Sequence, residues 1–438
     1  MALFSKHLNS IKVGHFKNTA ECESIRMPIP KTLRIPMSMH IGTPCDVCVN
    51  VGEKVEKGQV IGKSDAFLSV PIHSPVFATV TKIEDFTTPT GAYTKAVILA
   101  VDEEQPEKEF TPPVINSKED LVNAAKECGL VGLGGAAFPT FVKLSPKNLD
   151  SIDTLVVNAA ECEPFITSDY RSMLESTDNI IYAIDEVVKH LNISKVVIGI
   201  EENKPKAIKL FSEIAKNIEY LSVKKLYSRY PQGAERVIVY EATGRVINEG
   251  KLPGDVGVIV LNVTTLNKFG EYLKTGKPLI EKMVTLDGSS IANPCNVIVP
   301  IGTKIADLVE FSGGYKTKPG KILYGGPMMG IAIKDDEMPI IKNTNAILVL
   351  EEKQAKRDEI TACIRCGKCH HTCPFKLMPA AFEKNYYTGD VEALKNLHVL
   401  NCMECGTCAY VCPASRDLVA TNRLAKNLVR SQIKKEDK

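Results

Sequence analysis

The chain has 438 residues, a formal net charge of +2 and an apolar share of 44%. That near-neutral balance argues against an electrostatic partnership with nucleic acid, and the length exceeds one compact core, so about two to four domains are expected. No stretch approaches the roughly 18 consecutive apolar residues of a membrane-spanning helix, and the opening MALFSKHLNSIKVGHF lacks the apolar stretch of a secretory signal.

In chain order, residues 30–100 read as short strands joined by tight turns. Val51–Gly62 alternates apolar positions around Gly52 and Gly58, and Val70–Val80 repeats the pattern as a second half. This resembles the barrel-sandwich fold of biotinyl and lipoyl carrier domains, in which a lysine at a hairpin tip bears the cofactor. Aligned on Val70-Pro71, the tip falls near Asp65, and Lys63 is out of register. Residues 1–110 are therefore expected to form an unmodified barrel-sandwich domain with a structural or docking role. His40 reads as a turn or packing residue. Cys22, Cys45, Cys48, Cys128, Cys162 and Cys295 read as buried free thiols; Cys45-x-x-Cys48 lacks the second pair that a metal site would need.

Glu103–Pro113 is acidic and proline-rich, as a linker is. Residues 115–280 then alternate helical and buried-strand patterns: helices at Lys118–Cys128, Ser176–His190 and Lys204–Ala215, and strands at Thr154–Asn158, Lys195–Ile200 and Val256–Leu261. Alternation of this kind predicts an α/β domain with a largely parallel sheet. Four junctions in it carry unusual residues. The first, Gly129–Thr140, is rich in glycine and could approach a phosphate closely or be a tight turn. It follows a helix rather than a strand, so it is not an ordinary dinucleotide fingerprint. The others are Asn158-Ala159-Ala160-Glu161-Cys162-Glu163-Pro164, Tyr230-Pro231-Gln232-Gly233-Ala234-Glu235 and Asn262-Val263-Thr264-Thr265. Each alone is loop-like. Together they place an aromatic ring, glycines, amides and acids at strand exits, where open α/β sheets bind ligands.

Residues 281–350 read as a small β-rich, β-grasp-like module of the SLBB type, marked by Val299–Thr303 and Gly325–Gly330. From 352 to 438 the chain is helical and carries two near-identical runs, Cys363-x2-Cys366-x2-Cys369-x3-Cys373-Pro374 and Cys402-x2-Cys405-x2-Cys408-x3-Cys412-Pro413. In this bacterial iron–sulfur run the fourth cysteine ligates the other cluster. Two [4Fe–4S] clusters are expected, one on Cys363, Cys366, Cys369 and Cys412, the other on Cys402, Cys405, Cys408 and Cys373. Structural zinc uses four ligands rather than eight, and a disulfide framework suits secreted chains. Between the runs, Ala380–Tyr387 and Val391–Leu400 read as helices broken at Gly389. Leu418–Ile433 reads as a helix packed on this domain or on a partner. His370 and His371 are expected to shape the cluster environment.

The four α/β junctions resemble the flavin- and NADH-binding subunit of respiratory complex I, which reads G-x-G-G-A-G-F-P-T, N-A-D-E-S-E-P, Y-x-x-G-E-E and N-N-V-E-T-L at these places. The whole chain, in order, is similar to the RnfC family, the C subunits of Rnf-type ion-translocating ferredoxin:NAD⁺ oxidoreductases; Pro36–Gly42, the Gly325–Gly330 run and the duplicated cysteine motif fit that family. The resemblance implies a multidomain α/β chain carrying FMN, NAD(H) and two [4Fe–4S] clusters. It implies that Asn158, Tyr230, Gly233 and Asn262 hold FMN, with Gly132, Gly134 and Gly135 approaching phosphate. Phe138 would lie on the nicotinamide side, with Lys143 and Glu163 near the dinucleotide; Glu161 and Glu235 are also retained. Ala137, Ala160, Ala234 and Leu261 replace a glycine, an aspartate, a glutamate and an asparagine of complex I. The implied partners are other subunits of a membrane complex and, through one of them, ferredoxin; the implied location is the cytoplasmic face of the membrane, peripherally bound. The nearest alternatives are a soluble cobalamin-reductase-like NADH flavoenzyme and an iron–sulfur wire without flavin.

Overall fold

The computed structural model describes residues 8–436. A short strand β1 (Ile25–Arg26) precedes the barrel sandwich, built from β2 (Thr32–Pro36), β3 (Asp46–Val47), β4 (Lys54–Val55), β5 (Val60–Lys63), β6 (Ile72–His73), β7 (Ala78–Thr87) and β8 (Tyr93–Val101). Two sheets form, in the orders β2-β8-β7-β4 and β3-β5-β6. Alternate residues Val55, Ala78, Val80, Val97 and Leu99 are buried between them, the period-2 signature of a strand with one face in a core. Lys63 ends β5 on the surface. The proline-rich linker is strapped down: Gln105 donates to the Phe77 carbonyl at 2.6 Å and accepts from its N–H at 3.1 Å.

The α/β domain follows: α1 (Lys118–Glu127), α2 (Thr140–Leu144), β9 (Thr154–Ala159), α3 (Ser168–Glu175), α4 (Thr177–Leu191), β10 (Lys195–Glu201), α5 (Pro205–Ala215), β11 (Leu221–Leu226), α6 (Glu235–Thr243), β12 (Val258–Asn262) and α7 (Val263–Thr275). Ser117 caps α1 in a capping box with Asp120. All pairings in the sheet β11-β10-β9-β12 are parallel. The two central strands are buried on both faces, which is why they read as continuous apolar runs. Helix α3 escapes the periodic reading because Asp169 and Arg171 are buried polar residues. Edge strand β11 escapes it because Lys224 and Lys225 interrupt the alternation.

The small module contains β13 (Glu281–Asp287), β14 (Cys295–Pro300), α8 (Ile305–Phe311), β15 (Pro319–Tyr324), β16 (Ile331–Ile333) and β17 (Ala346–Glu351). Its sheet, β1-β14-β13-β17-β15-β16, borrows β1 from the N-terminal segment. The modules are also less separate than their sequence textures suggest. One apolar core runs without a break from Ile35, Val76 and Leu99 of the barrel sandwich through Leu121 to Leu155 and Ile198 of the sheet.

The last domain holds α9 (Glu352–Ala355), α10 (Lys368–His371), α11 (Pro379–Thr388), α12 (Val391–Asn396), α13 (Thr407–Tyr410) and α14 (Leu418–Glu436). Gly389 ends α11 at φ +70°, as expected. Helix α12 stops at Asn396, short of the expected Leu400, because His398 turns left-handed at φ +59°. Ala425 and Val429 of α14 pack with Phe382 and Leu394 into a separate small core, so α14 belongs to this domain. Among the described residues no helix is long and apolar enough to cross a membrane.

Candidate functional site

The four α/β junctions converge. Strands β9 and β12 are neighbours, with Asn158 opposite Asn262, while the chain runs from β9 to β10 and β11 on the other side. Their carboxyl ends therefore flank the point where strand order reverses, the usual ligand crevice of an open α/β sheet. Over it lies the glycine loop. Gly132 N–H donates to the Phe138 carbonyl at 2.9 Å and Leu133 N–H to Thr265 Oγ1 at 2.9 Å. A Cβ at Gly134 would overlap the Asn262 amide, whereas Gly135 faces open space. Asn262 Oδ1 caps α7, and its Nδ2 donates to Asp169 Oδ2 at 2.7 Å. Asn158 Nδ2 donates to the Gly233 carbonyl at 2.8 Å. The result is an exposed backbone ledge without side chains, floored by two amides, which fits a flat polar cofactor with a phosphate.

The other expected residues form its walls. Lys143 and Glu235 pair at 2.5 Å, and Lys143 also reaches the Val260 carbonyl. Phe138 is half-buried on the loop. Tyr230 is buried, and its hydroxyl donates to the Cys405 carbonyl at 2.6 Å, toward the cysteine domain. Glu163 turns to the small module: its carboxylate accepts the N–H groups of Met328 (3.1 Å) and Met329 (2.8 Å). Burial pushes its carboxyl up to about 7 against those two bonds. Glu161 is buried at φ +51° and accepts the Asp169 N–H at 2.6 Å, while its second oxygen has no hydrogen-bond partner. Burial raises it to about 7 as well, offset by Lys17.

Four lysines hold these loops, and sequence reading missed all of them. Half-buried Lys17 donates to the Glu161, Glu163 and Ile166 carbonyls at 2.6–2.9 Å. The other three are buried: Lys204 reaches the Ala160 carbonyl, Lys282 the Leu133 carbonyl, and Lys342 both Pro71 and Gly129. Burial lowers Lys282 to about 7 and Lys342 to about 8. A lysine in a strand or loop carries no local signal that its ammonium will meet carbonyls far away in the chain. Of the free thiols, Cys45 and Cys128 are buried as expected, but Cys22 and Cys48 are exposed. His40 is buried beside Ser69 and Cys45, a packing position.

In the last domain the sequence duplication is a backbone duplication. Arg365 and Glu404 (φ +56° and +58°), Gly367 and Gly406 (+74° and +87°), and Lys376 and Ser415 (+53° and +50°) are left-handed at matching offsets from their cysteines. These turns wrap each run around a cavity. One cavity is lined by Cys373, Cys402, Cys405 and Cys408. The other, wider and more open, is lined by Cys363, Cys366, Cys369 and Cys412. Each thus gathers three thiols of one run and the fourth of the other. Among the described residues no three His, Cys, Asp or Glu side chains converge as a single metal ion requires; four thiols around a cavity suit a cubane instead. Burial pushes the Cys373 thiol up to about 11. Asn422 Nδ2 approaches Cys402 Sγ at 3.6 Å, a sulfur contact of the kind that tunes a cluster. His370 lines the open cavity with its ring tied to the Leu377 carbonyl.

Four family models match in order: the RnfC barrel sandwich hybrid domain (residues 7–104), the Nuo51 FMN-binding domain (125–269), the SLBB domain (283–332) and the 4Fe-4S dicluster domain (355–413). A chain of an NAD⁺-reducing [NiFe]-hydrogenase in its air-oxidized state superposes with TM-score 0.51 at 16% identity, over 73% of this chain and 64% of that one, which shows a shared fold. The C subunit of the proton-translocating ferredoxin:NAD(+) oxidoreductase complex of Clostridium ljungdahlii is 40% identical over 81% of this chain and 78% of its own. The C subunit of the Na(+)-translocating complex of Acetobacterium woodii is 36% identical over 93% of both. With every module present in the same order, the chain belongs to the RnfC family, the C subunits of ion-translocating ferredoxin:NAD(+) oxidoreductase complexes.

Proposed function

We propose that this chain is the NAD(H)-facing electron-transfer subunit of a ferredoxin:NAD⁺ oxidoreductase that couples electron flow to Na⁺ or H⁺ translocation, bound peripherally at the cytoplasmic face of the membrane. The observation that carries this reading is the 2.6 Å hydrogen bond from Tyr230 to Cys405, which ties the flavin ledge to a thiol-lined cavity within one chain. Gly132, Gly134 and Gly135 offer backbone to the FMN phosphate, and Asn158, Gly233 and Asn262 orient the flavin. Phe138 and Lys143 face the dinucleotide, with Glu235 holding Lys143 in place. Glu161 and Glu163, pinned from behind by Lys17, keep the ledge rigid, and Tyr230 with Ile11 excludes water between ledge and cavity. FMN, when bound, supplies the exchange between two-electron hydride chemistry and one-electron transfer. The eight cysteines supply thiolates for the two clusters, and no general acid or base is required for the hydride step.

Iron and flavin analysis of the full-length chain, followed by anaerobic NADH titration, tests this. About eight irons and one FMN per chain are expected, with NADH bleaching both the flavin and the iron–sulfur absorbance. Iron without releasable FMN, and no reduction by NADH, would establish the flavin-free wire instead.

A further inference from the structure

The two thiol-lined cavities are not equivalent. Cys373, Cys405 and Cys408 are buried, and the backbone of their runs is contacted from the flavin side. Tyr230 bonds the Cys405 carbonyl, Asn9 donates to the Cys373 carbonyl at 3.1 Å, and Gly406 sits against the Met328 carbonyl of the loop that holds Glu163. Ile11, Tyr230, Cys162, Met403 and Cys405 share one apolar cluster. Both cavities are lined by cysteine-domain residues, 373–422 in the first and 363–418 in the second, so the contacts to the backbone from the flavin side, not the lining, set the first apart. Cys363 and Cys366 are exposed, on a strap (356–366) that is exposed throughout and has no regular structure.

We infer that Cys373, Cys402, Cys405 and Cys408 form the inner station of the relay, that Cys363, Cys366, Cys369 and Cys412 form the outer one, and that the strap around the outer station docks a resident redox subunit of the complex with an acidic rim. This rests on the function proposed above. One-electron transfer falls steeply with distance, so a centre open on one side hands its electron to whatever covers that side. Large apolar side chains collect there: Ile360 is 51% exposed, Ile364 69%, Met378 49% and Tyr387 71%. Ile364 and Met378 line the outer cavity, and Tyr387 lies on α11, whose Ala380 and Ala381 line it as well. Apolar surface of this kind marks a lasting interface rather than a passing encounter. Charge specifies the occupant. In a chain of net charge +2, exposed Lys353, Lys356, Arg357, Arg365 and Lys368 on the strap and its flanks face exposed Glu352, Asp358 and Glu359, and with Glu352 paired to Lys318 and Arg357 to Asp417 the remaining charges are basic in excess. An acidic partner rim complements that strap. In the NADH-oxidising direction, NADH becomes NAD⁺ and a proton, and its two electrons leave singly, each reducing the partner's own one-electron centre.

The test uses the full-length chain and the whole complex. In Cys366→Ser, electron paramagnetic resonance after rapid NADH mixing should show the inner cluster reduced at the wild-type rate. In Cys405→Ser, the outer cluster should be reducible by dithionite, while its reduction by NADH slows about tenfold or more. Loss of inner-cluster reduction by NADH in Cys366→Ser overturns the order, whether or not Cys405→Ser folds. For the face, the triple variant Lys356→Glu, Ile360→Asp, Tyr387→Asp should keep its iron, its flavin and its reduction by NADH, so the proposed function stands or falls separately. Its retention in the membrane complex should fall about tenfold or more. Full retention overturns the docking surface. Normal assembly with a changed salt dependence toward an added soluble ferredoxin also overturns it, because the occupant is then a diffusing carrier.

Discussion

Ala137 stands in the glycine loop with φ +56° and is buried, its carbonyl accepting the Ile41 N–H at 3.0 Å. A left-handed L-residue costs about 1–2 kcal/mol, which explains why the complex I pattern places glycine there. Ala137→Gly should relieve that strain, less about 0.4–1 kcal/mol of unfolded-state entropy, and leave the protein as stable or slightly more so. Ala137→Val adds a branched side chain in a closed space and should cost about 2 kcal/mol or more, with FMN lost on gel filtration; thermal unfolding of the pair decides this. Glu163 titrates in a second testable way. Its native value is raised from 4.5 to about 7, so the native state holds the proton longer than the unfolded chain does. Its contribution is fully present below about 4.5 and declines as pH rises to about 7. Denaturant unfolding of Glu163→Gln against wild type should therefore shift in the variant's favour across that window, by on the order of 3 kcal/mol.

At the scale of elements, the functional crevice arises because β9 and β12 lie side by side and carry asparagines that face each other at their ends. The glycine loop reaches it only because Thr265, Asn262 and Lys282 receive it from below. The link to the cysteine domain is narrower. Tyr230→Phe removes one buried hydrogen bond and leaves the Cys405 carbonyl unpaired, at a cost of about 1–3 kcal/mol. Iron and flavin should stay, while stopped-flow reduction of the clusters by NADH slows with the KM for NADH unchanged. An unchanged rate would mean that the bond only fastens the domains. Of the repeated left-handed residues, Gly367 and Gly406 are of the residue type that favours such a turn, whereas Arg365 and Glu404 carry no such signal.

At the scale of the molecule, the shared core predicts that barrel sandwich and α/β domain unfold together, whereas the cysteine domain has its own small core around Phe382 and Leu394. Iron chelation should abolish or lower a separate calorimetric transition and open the 356–366 strap to protease, leaving the main transition in place. Lys342 joins three modules, since its ammonium bonds Pro71 of the barrel sandwich and Gly129 of the α/β domain. Lys342→Met strands two buried carbonyls and should cost about 3 kcal/mol or more, read as a lower midpoint of the main transition at unchanged iron content.

What could be read from residues alone was local. Cysteine spacing announced two clusters because a cubane needs thiolates at short, fixed offsets. Apolar periodicity announced the parallel sheet, and glycines, amides and acids at strand exits announced a ligand edge. The tertiary structure decided what depends on contacts between distant segments. It turned Glu163 and Tyr230 from the ledge toward neighbouring modules, set Lys17, Lys204, Lys282 and Lys342 among carbonyls, and lent β1 to a sheet far along the chain. It also made one of two near-identical cysteine runs inner and the other outer. Spacing is a short-range property, and which side of a domain faces its neighbour is not.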